Sequence, residues 1–341
     1  MKQCFEFNKQ KLCCLSVMVF ALCMVVSPLR AELPGKGKTI RPIANNILEE
    51  RIWDDIIAIG LERLGYKIAP ITELEITTMI VALGQGDGDY CAHYSEPLHN
   101  TFYERAGGDK TMVKLGPFQP GNAQQYFIDK KTAEKYNIHS IDQLKDPNIA
   151  KIFDENGDGK ADLTGCNPGW GCEREIENHL KCYELTKTVT HLQGSYFALI
   201  ADTIQRYKSG QPILYYTWEP QWVSGILVPG ADVVPLSVPF TCLPPGQKNA
   251  PTTILSNGRN TGFSVLDNYI LASKKFIEDN PAAKKFFELV KISTADTSKQ
   301  NLLMYKGEKT TEDIKRHAKQ WVAEHQAEFD GWIVEALKAG Q

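Results

Sequence analysis

Signals for helices and strands alternate along the chain after its first 31 residues. Apolar residues recur at helical spacing and predict helices within residues 48–64, 197–209, 281–290, 314–321 and 332–337. Gly65 and Gly210 follow the first two of these stripes as stop signals, and Pro281 begins the third. Short apolar runs such as Pro212 to Thr217 predict buried strands between the helices. This alternation predicts an α/β fold made of packed layers.

Two extended segments interrupt the alternation and divide the chain. Residues 228–250 contain five prolines and no long helical period, and residues 117–125 form a second extended run. Two connectors indicate that one lobe is inserted into the other. We predict that lobe 1 comprises residues 32–121 and 241–341, and that lobe 2 comprises residues 122–240.

The N-terminal pattern is typical of an export signal. Basic residues precede an apolar run over residues 12–26 that only Cys and Ser interrupt, and Ala31 offers a small residue for cleavage. The run is shorter than the roughly 20 apolar residues that a membrane span needs. We therefore predict a signal peptide over residues 1–31, cleaved near Ala31, with an uncleaved anchor as the alternative.

Charge and motifs exclude several classes of function. Four basic residues and one acidic residue lie within residues 1–31, so the other 310 residues carry 34 basic and 40 acidic side chains, a net charge of −6. An acidic body argues against a general nucleic-acid-binding surface. The sequence contains no GxSxG, HExxH or GxxxxGK[ST] motif, so we predict no catalytic residues and no enzymatic activity.

Five cysteines remain after the predicted cleavage, and export permits disulfides among them. Cys166 and Cys172 are the closest pair and bracket a Gly- and Pro-rich loop, so we predict that they are bridged. Cys182 and Cys242 are a candidate second pair, and the odd total leaves Cys91 or another thiol over. Without a CxxC motif or clustered histidines, we predict no metal and no cofactor.

The segment from Asp154 to Asp162 imitates the first part of a calcium-binding loop. Oxygen-bearing residues alternate there and Gly159 supplies a sharp turn, but Gly165 occupies the position where an EF-hand loop has its bidentate glutamate. Two interpretations follow, a weak calcium site or a hydrogen-bonded surface turn, and the second is favoured.

Two tryptophans mark a candidate ligand site. Trp170 lies inside the predicted disulfide loop, and Trp218 follows the strand predicted to end at Thr217. A helix predicted to begin near Gly171 and Cys172 would offer free backbone N–H groups to an anion. Aromatic faces beside such a helix end suit a small zwitterion, whose cation lies against the rings. Plain core packing is the alternative for each tryptophan.

Six segments carry a resemblance to a known family that extends to FDGW at Phe329. They are ELPGKGK from Glu32, EPLHN from Glu96, ERAGGDK from Glu104, IDKKTAEKY from Ile128, DENGDGKADLTGCNPGWGCE from Asp154 and YYTWEP from Tyr215. The chain thereby resembles the periplasmic glycine betaine and proline betaine binding proteins of enterobacterial osmoprotectant ABC importers. The resemblance implies a type II periplasmic-binding fold: two α/β lobes joined by two crossover segments, closing over the ligand.

The same resemblance implies partners and a ligand site. The partners would be a betaine-like zwitterion and a membrane permease driven by a cytoplasmic ATPase, in a periplasmic monomer that serves osmoprotection. Trp170 and Trp218 match two of three tryptophans that hold the trimethylammonium group in the family. His99 and the backbone N–H groups of Gly171 and Cys172 match the groups that bind the carboxylate, beside a disulfide matching Cys166 with Cys172.

One position departs from the family pattern. The third tryptophan belongs to NWTPLH in the family, whereas this chain reads YSEPLH and places Ser95 there. Three explanations are open: Tyr94 supplies the missing wall, another tyrosine does so (Tyr90, Tyr126 or Tyr216), or the pocket is shaped for another zwitterion. A non-transport ligand sensor and an exported enzyme are the rival functions.

Overall fold

Strands and helices alternate along residues 32–341, the part of the chain that the computed structural model describes. The strands are β1 (Thr39–Ile40), β2 (Ile43–Ala44), β3 (Lys67–Ile68), β4 (Thr72–Glu73), β5 (Tyr90–Glu96), β6 (Met112–Asn122), β7 (Gln124–Asp129), β8 (Ala161–Thr164), β9 (Val189–Leu192), β10 (Leu214–Trp218), β11 (Val233–Pro235) and β12 (Leu266–Ser273). The helices are α1 (Arg51–Arg63), α2 (Ile76–Gln85), α3 (Asn100–Arg105), α4 (Lys130–Tyr136), α5 (Pro147–Ala150), α6 (Gly171–Cys182), α7 (Tyr196–Lys208), α8 (Lys274–Asp279), α9 (Pro281–Leu289), α10 (Thr294–Tyr305), α11 (Thr311–Glu324) and α12 (Gln326–Ala339). The signal peptide predicted at residues 1–31 lies outside the described residues.

The helix stripes seen in the sequence correspond to observed helices. The first stripe becomes a 3₁₀ turn at Leu48–Glu50 followed by α1, and the second becomes α7. Gly65 and Gly210 follow these two helices with φ angles of +94° and +75°, a conformation that glycine adopts without strain. Pro281 occupies the first turn of α9, where its missing N–H has no helical partner to lose.

Two larger sheets form the framework. The five-stranded sheet has the order β11-β7-β10-β8-β9, in which β8 lies parallel to both β9 and β10, while β7 runs antiparallel to its two neighbours. The other sheet is antiparallel with the order β5-β12-β6. Two short parallel pairs, β1 with β3 and β2 with β4, complete the strands of the described chain.

Apolar side chains are buried against these sheets in two clusters. One lies on the five-stranded sheet around fully buried residues such as Ile128, Leu163 and Tyr215, and it extends to α2 and β5. The second is formed by α1, α9, α11 and α12 against β5, β6 and β12, around Trp53 and Phe286. The sheets and their helices confirm the predicted mixed α/β class.

The chain passes between the two sheets twice. The first passage is immediate, because β6 ends at Asn122 and β7 begins at Gln124. The second lies between Pro235, where β11 ends, and Leu266, where β12 begins. Because β11 belongs to the five-stranded sheet, the first part of the segment 228–250 is sheet rather than connector. The proposed lobe boundaries themselves stay a prediction.

Disulfides join both cysteine pairs considered in the sequence. Cys166 is bonded to Cys172 next to α6, and Cys182 at the end of α6 is bonded to Cys242, 60 residues later. Cys91 is free and fully buried in β5, and burial raises the pKa of its thiol to about 12. No helix among residues 32–341 combines the length and apolar character needed to cross a membrane.

Candidate functional site

A cavity lies where the ends of the two sheets meet. It encloses about 610 Å³ of space, part of it open to solvent. Strands of both sheets, the start of α6 and the segment before α1 contribute to its walls. The lining residues are Asn45, Ile47, Glu50, Trp53, Ile76, His93, Ser95, Leu98, His99, Asn122, Gln124, Trp170, Gly171, Cys172, Tyr216, Trp218, Glu219, Pro220, Leu266 and Asn268.

Aromatic rings form one side of this cavity. The ring centroids of Trp170 and Trp218 are 5.9 Å apart, with their planes at 76°, so the two indoles make a corner. Tyr216 also lines the cavity, with its ring centroid 6.1 Å from that of Trp218. The ring centroid of Tyr196, which does not line the cavity, lies 4.6 Å from that of Trp218. Trp218 is half-buried, which leaves part of its ring available to a ligand. Such a corner of π-faces attracts a cation that has no hydrogen to donate.

His99 supplies a hydrogen-bond donor to the cavity. The backbone N–H of Ser95 donates to Nδ1 of His99 over 3.1 Å, so the neutral ring carries its proton on Nε2. Burial, and next the charge of Arg174, lower the pKa of His99 to about 3. The side chain is therefore a neutral Nε2–H donor at physiological pH, suited to an anionic oxygen.

The first turn of α6 adds backbone donors to the same wall. α6 begins at Gly171 with Trp170 as its N-cap residue, and no side chain caps the helix. The disulfide from Cys166 ties Cys172, in that first turn, to the preceding strand-end loop. Uncapped N–H groups and the positive end of the helix dipole make this position favourable for a carboxylate.

The structure brings together all of the predicted site residues except one. Trp170, Trp218, His99, Gly171, Cys172 and Ser95 all line the cavity. Tyr94 does not, and the expectation that its ring faces the ligand is corrected. Side chains alternate along β5, so His93 and Ser95 face the cavity while Tyr94 points the other way. There its hydroxyl donates to Asn100 Oδ1 at 2.6 Å.

Of the other tyrosines considered as replacements for the missing wall, only Tyr216 lines the cavity. Tyr90 packs on Phe287, and Tyr126 donates toward the ring of His179, in each case inside the core. Ser95 itself donates from Oγ to Asn268 Oδ1 over 2.7 Å. A hydrogen-bonded network therefore occupies the position of the expected ring.

Sequence reasoning missed a second group of lining residues around Trp53 and His93. Trp53 donates from Nε1 to Thr297 at 3.0 Å and packs beside His93, with ring centroids 5.8 Å apart. Trp53 lies between apolar positions of the α1 stripe, which reads simply as core. His93 sits in a strand without any motif, so only its unusual placement in an apolar run could have signalled a role.

His93 is a buried cation held by two carboxylates. Its Nε2 lies 3.0 Å from both oxygens of Asp54, and its Nδ1 lies 3.0 Å from Glu50 Oε2. Burial alone disfavours the charged ring, but the charge and hydrogen bond of Asp54 and then those of Glu50 raise the pKa of His93 to about 9. The imidazolium fixes the position of Glu50 at the cavity wall.

The segment resembling a calcium loop is a hydrogen-bonded turn. Asp154 accepts from the N–H groups of Gly157 and Gly159, and Asp162 accepts from those of Glu155 and Asn156. The carboxylates thus bond the loop's own backbone, as the favoured interpretation expects. Among residues 32–341, no group of three or more acidic, histidine or cysteine side chains has a metal-binding arrangement.

A family model places this geometry in a known context. The model described as the substrate binding domain of ABC-type glycine betaine transport systems, OpuAC, matches residues 38–324. The chain belongs to the OpuAC family. The match covers both larger sheets and every lining residue of the cavity.

Curated relatives in the OpuAC family span nearly the whole chain. The glycine betaine/proline betaine-binding periplasmic protein of Escherichia coli is 50% identical over 320 residues, which cover 94% of this chain and 96% of the relative. The glycine betaine-binding periplasmic protein OusX of Dickeya dadantii is 48% identical over 310 residues, covering 91% and 93%. These identities agree with the resemblance found in the sequence.

Solved structures confirm the OpuAC-type fold. Lactococcal OpuAC, in a closed-liganded conformation complexed with glycine betaine, superposes with a TM-score of 0.66 at 20% identity, covering 87% of this chain and 99% of that one. An ABC-transporter choline binding protein in complex with choline superposes at 0.67 and 15% identity, covering 89% and 96%. At these identities the likeness establishes the fold alone.

Proposed function

We propose that this protein is the substrate-binding protein of an ABC importer and captures glycine betaine, proline betaine or a closely related zwitterion. The observation that carries the proposal is the pairing of an aromatic corner with neutral and backbone N–H donors in one cavity. The 50% identical Escherichia coli relative, named for the same ligands, supports it. The exported, periplasmic location and the permease partner with its ATPase belong to this proposal.

The ligand's two charges would be bound by different chemistry. The cation lies against Trp170 and Trp218, whose ring faces carry negative electrostatic potential. The carboxylate accepts hydrogen bonds from His99 Nε2 and from the backbone of Gly171 and Cys172. Neither the neutral His99 nor a helix end brings a full positive charge, so the site favours a net-neutral ligand. Binding and release, without turnover, are the proposed activity.

The proposal includes the closure of two lobes, each built on one of the larger sheets, over the ligand. The aromatic corner and the start of α6 belong to the part of the chain that carries the five-stranded sheet, whereas His99 follows β5 of the other sheet. A ligand that contacts both parts stabilises the arrangement in which they approach each other. The permease would recognise that ligand-bound arrangement.

Calorimetry on the mature chain tests the function. We expect saturable binding of glycine betaine or proline betaine, and much weaker binding of tetramethylammonium and of acetate, each of which offers only one of the two charges. The reason is that tetramethylammonium can contact only the aromatic side of the cavity, and acetate only the N–H donors. If no betaine binds at any accessible concentration, the proposed ligand class is wrong.

Gly171→Ala is expected to weaken betaine binding at least about tenfold, the equivalent of one charge-assisted hydrogen bond. A Cβ at Gly171 would lie 2.4 Å from Cγ of Leu98, so either the start of α6 or the loop leading to His99 must shift. Isothermal calorimetry measures the loss. Gly331→Ala is the matched control, because Gly331 is an exposed position of α12 and a Cβ there meets nothing within 4 Å. Equal affinities in the two variants would contradict the role of the α6 donors.

A further inference from the structure

A tryptophan from the part of the chain that carries the five-stranded sheet contacts the part that carries the antiparallel sheet. Trp222 lies in the turn Trp222–Gly225, between β10 and β11 of the five-stranded sheet. Its ring stacks on that of Tyr305 at the end of α10, with centroids 4.5 Å apart and planes at 22°. Its Nε1 donates to Oε1 of Glu49, in the turn before α1, over 3.3 Å. We call this set of interactions the Trp222 contact.

The elements that receive Trp222 are fixed to the antiparallel sheet. Thr297 of α10 accepts from Nε1 of Trp53 in α1 at 3.0 Å and from the side-chain amide of Gln119 in β6 at 2.9 Å. α1 itself packs on the antiparallel sheet as part of the second apolar cluster. Tyr305 on α10 and Glu49 before α1 are therefore held to that sheet.

The Trp222 contact is separate from the two passages between the sheets. Those passages lie at residues 122–124 and 235–266, whereas Trp222, Glu49 and Tyr305 all lie outside them. Chain connectivity therefore does not enforce the contact. It can form when the two sheets approach each other and break when they separate.

Burial shows that the contact is closely packed. Trp222 is only 7% exposed. Gly225, at the end of the same turn, approaches α10 so closely that a Cβ there would lie 3.1 Å from Cδ1 of Leu302. Burial raises the pKa of Glu49 to about 7, and the hydrogen bond from Trp222 is among the interactions that oppose this rise. Loss of that donor would leave a desolvated acceptor unpaired, which is costly.

Trp222 is near the proposed cation site along the chain but does not line the cavity. Trp218 ends β10, and the two residues that follow it, Glu219 and Pro220, are lining residues. Trp222 comes two residues later and is not among those that line the cavity. Any effect of Trp222 on the ligand must therefore pass through the arrangement of the surrounding protein.

We propose that Trp222 is a positioning residue whose contact with Glu49 and Tyr305 stabilises the closed arrangement of the two lobes. This inference rests on the proposed function, because it assumes that the ligand is bound by closure. The contact acts on the population of the closed arrangement, so its loss weakens the binding of every ligand by the same factor. A residue that shaped the cation site would instead change the affinities for different head groups by different factors.

Calorimetry with glycine betaine and with proline betaine tests the role of Trp222. Tyr305→Ala removes the stacked ring, and we expect it to weaken the binding of both ligands by one common factor of about two- to tenfold, the range for an aromatic pair. Trp222→Ala also removes the donor to Glu49, so the common factor should reach at least about tenfold. Trp222→Phe keeps a ring beside Tyr305 and should lie between wild type and Trp222→Ala.

Tyr136→Ala is the matched control for the loss of an exposed ring. Tyr136 is 42% exposed on α4, and Tyr305 is 41% exposed. Tyr136→Ala should leave both affinities unchanged. The exposure of Tyr305 also keeps the test valid if Trp222→Ala fails to fold, because removal of a half-exposed ring at a helix end leaves the core intact.

Three results would each overturn the role of Trp222 and leave the proposed function standing. They are wild-type affinities in Tyr305→Ala, losses that add in full when Tyr305→Ala and Trp222→Ala are combined, and unequal factors for the two ligands. Full additivity would mean that the two rings act independently. Unequal factors would mean that Trp222 acts on the cation site rather than on closure. Absence of binding of both betaines to the wild type overturns the proposed function, and the role of Trp222 with it.

Discussion

Trp218→Ala is expected to weaken glycine betaine binding by at least about a hundredfold while the protein remains folded. The indole contributes a desolvated cation–π contact of roughly 2 kcal/mol and a comparable apolar contact with the methyl groups. Trp170 would be left as a single wall, because the corner between the two rings needs both of them. Trp218 is half-buried, so its loss affects binding more than stability.

Calorimetry and thermal melting together check this expectation. Trp218→Phe should lose less affinity than Trp218→Ala, since a smaller π-face remains. Trp332→Ala is the control, because Trp332 is buried in α12 against Trp321 and Phe329 and does not line the cavity. It should lower the melting temperature without changing the affinity. An unaltered dissociation constant in Trp218→Ala would remove this ring from the site.

Asp54→Asn is expected to reduce the free energy of unfolding by about 3 kcal/mol at pH 6.5, the usual loss when one partner of a buried ion pair is removed. His93 is buried, and Asp54 contributes the larger part of the charge attraction that keeps its ring protonated. The amide conserves the shape of the side chain but not its charge. The imidazolium then keeps only Glu50 as an ionic partner.

The pH dependence of this loss of stability tests whether protonated His93 is responsible for it. Because the pKa of folded His93 is raised from 6.5 to about 9, its stabilising contribution is complete below pH 6.5 and disappears as the pH rises through 9. The gap between wild type and Asp54→Asn should therefore narrow between pH 6.5 and 9.5. Urea unfolding of both proteins at pH 6.5 and at pH 9.5 measures this difference in the free energy of unfolding. Burial also raises the pKa of Glu49 to about 7 and that of Glu175 to about 8, and these titrations cancel in the difference.

Asp55→Asn is the matched control, one residue further along α1. Burial, and next the charge of Asp54, raise the pKa of Asp55 to about 6, so its ionised form is unfavourable in the fold. Its replacement by asparagine should be neutral or stabilising at pH 7. If both variants lose equal stability, or if the gap for Asp54→Asn is constant with pH, His93 is not a buried cation.

Local patterns predicted much of the fold, for identifiable reasons. The stripes before Gly65 and Gly210 became α1 and α7 because periodicity and stop signals agreed there. The prediction that the whole proline-rich segment 228–250 is a connector was wrong for its first part, which contains β11. β11 is an edge strand, where a proline such as Pro235 is tolerated. Pairing with β7 depends on distant residues, and no local pattern reveals it.

The candidate site likewise contains some residues that local sequence patterns predict and others that they do not. His99 follows β5, Trp218 ends β10 and Gly171 begins α6, and the motifs around these residues could be read directly from the sequence. The position of Tyr94 next to Ser95 predicts that its ring faces the ligand, but side chains alternate along β5, so adjacent residues lie on opposite faces. Trp53 and His93 join the cavity through α1 and β5 packing together. Only the three-dimensional arrangement brings Glu50 and Asp54 to the two nitrogens of one ring.

Trp170 and Gly171 are consecutive residues that both line the cavity, yet the proposed binding mode assigns the ligand's cation to the first and its carboxylate to the second. In that binding mode, a single peptide unit sets the distance between the groups that bind the ligand's two charges. Amino acids with the amino group one or more carbons further from the carboxylate would match only one end of it.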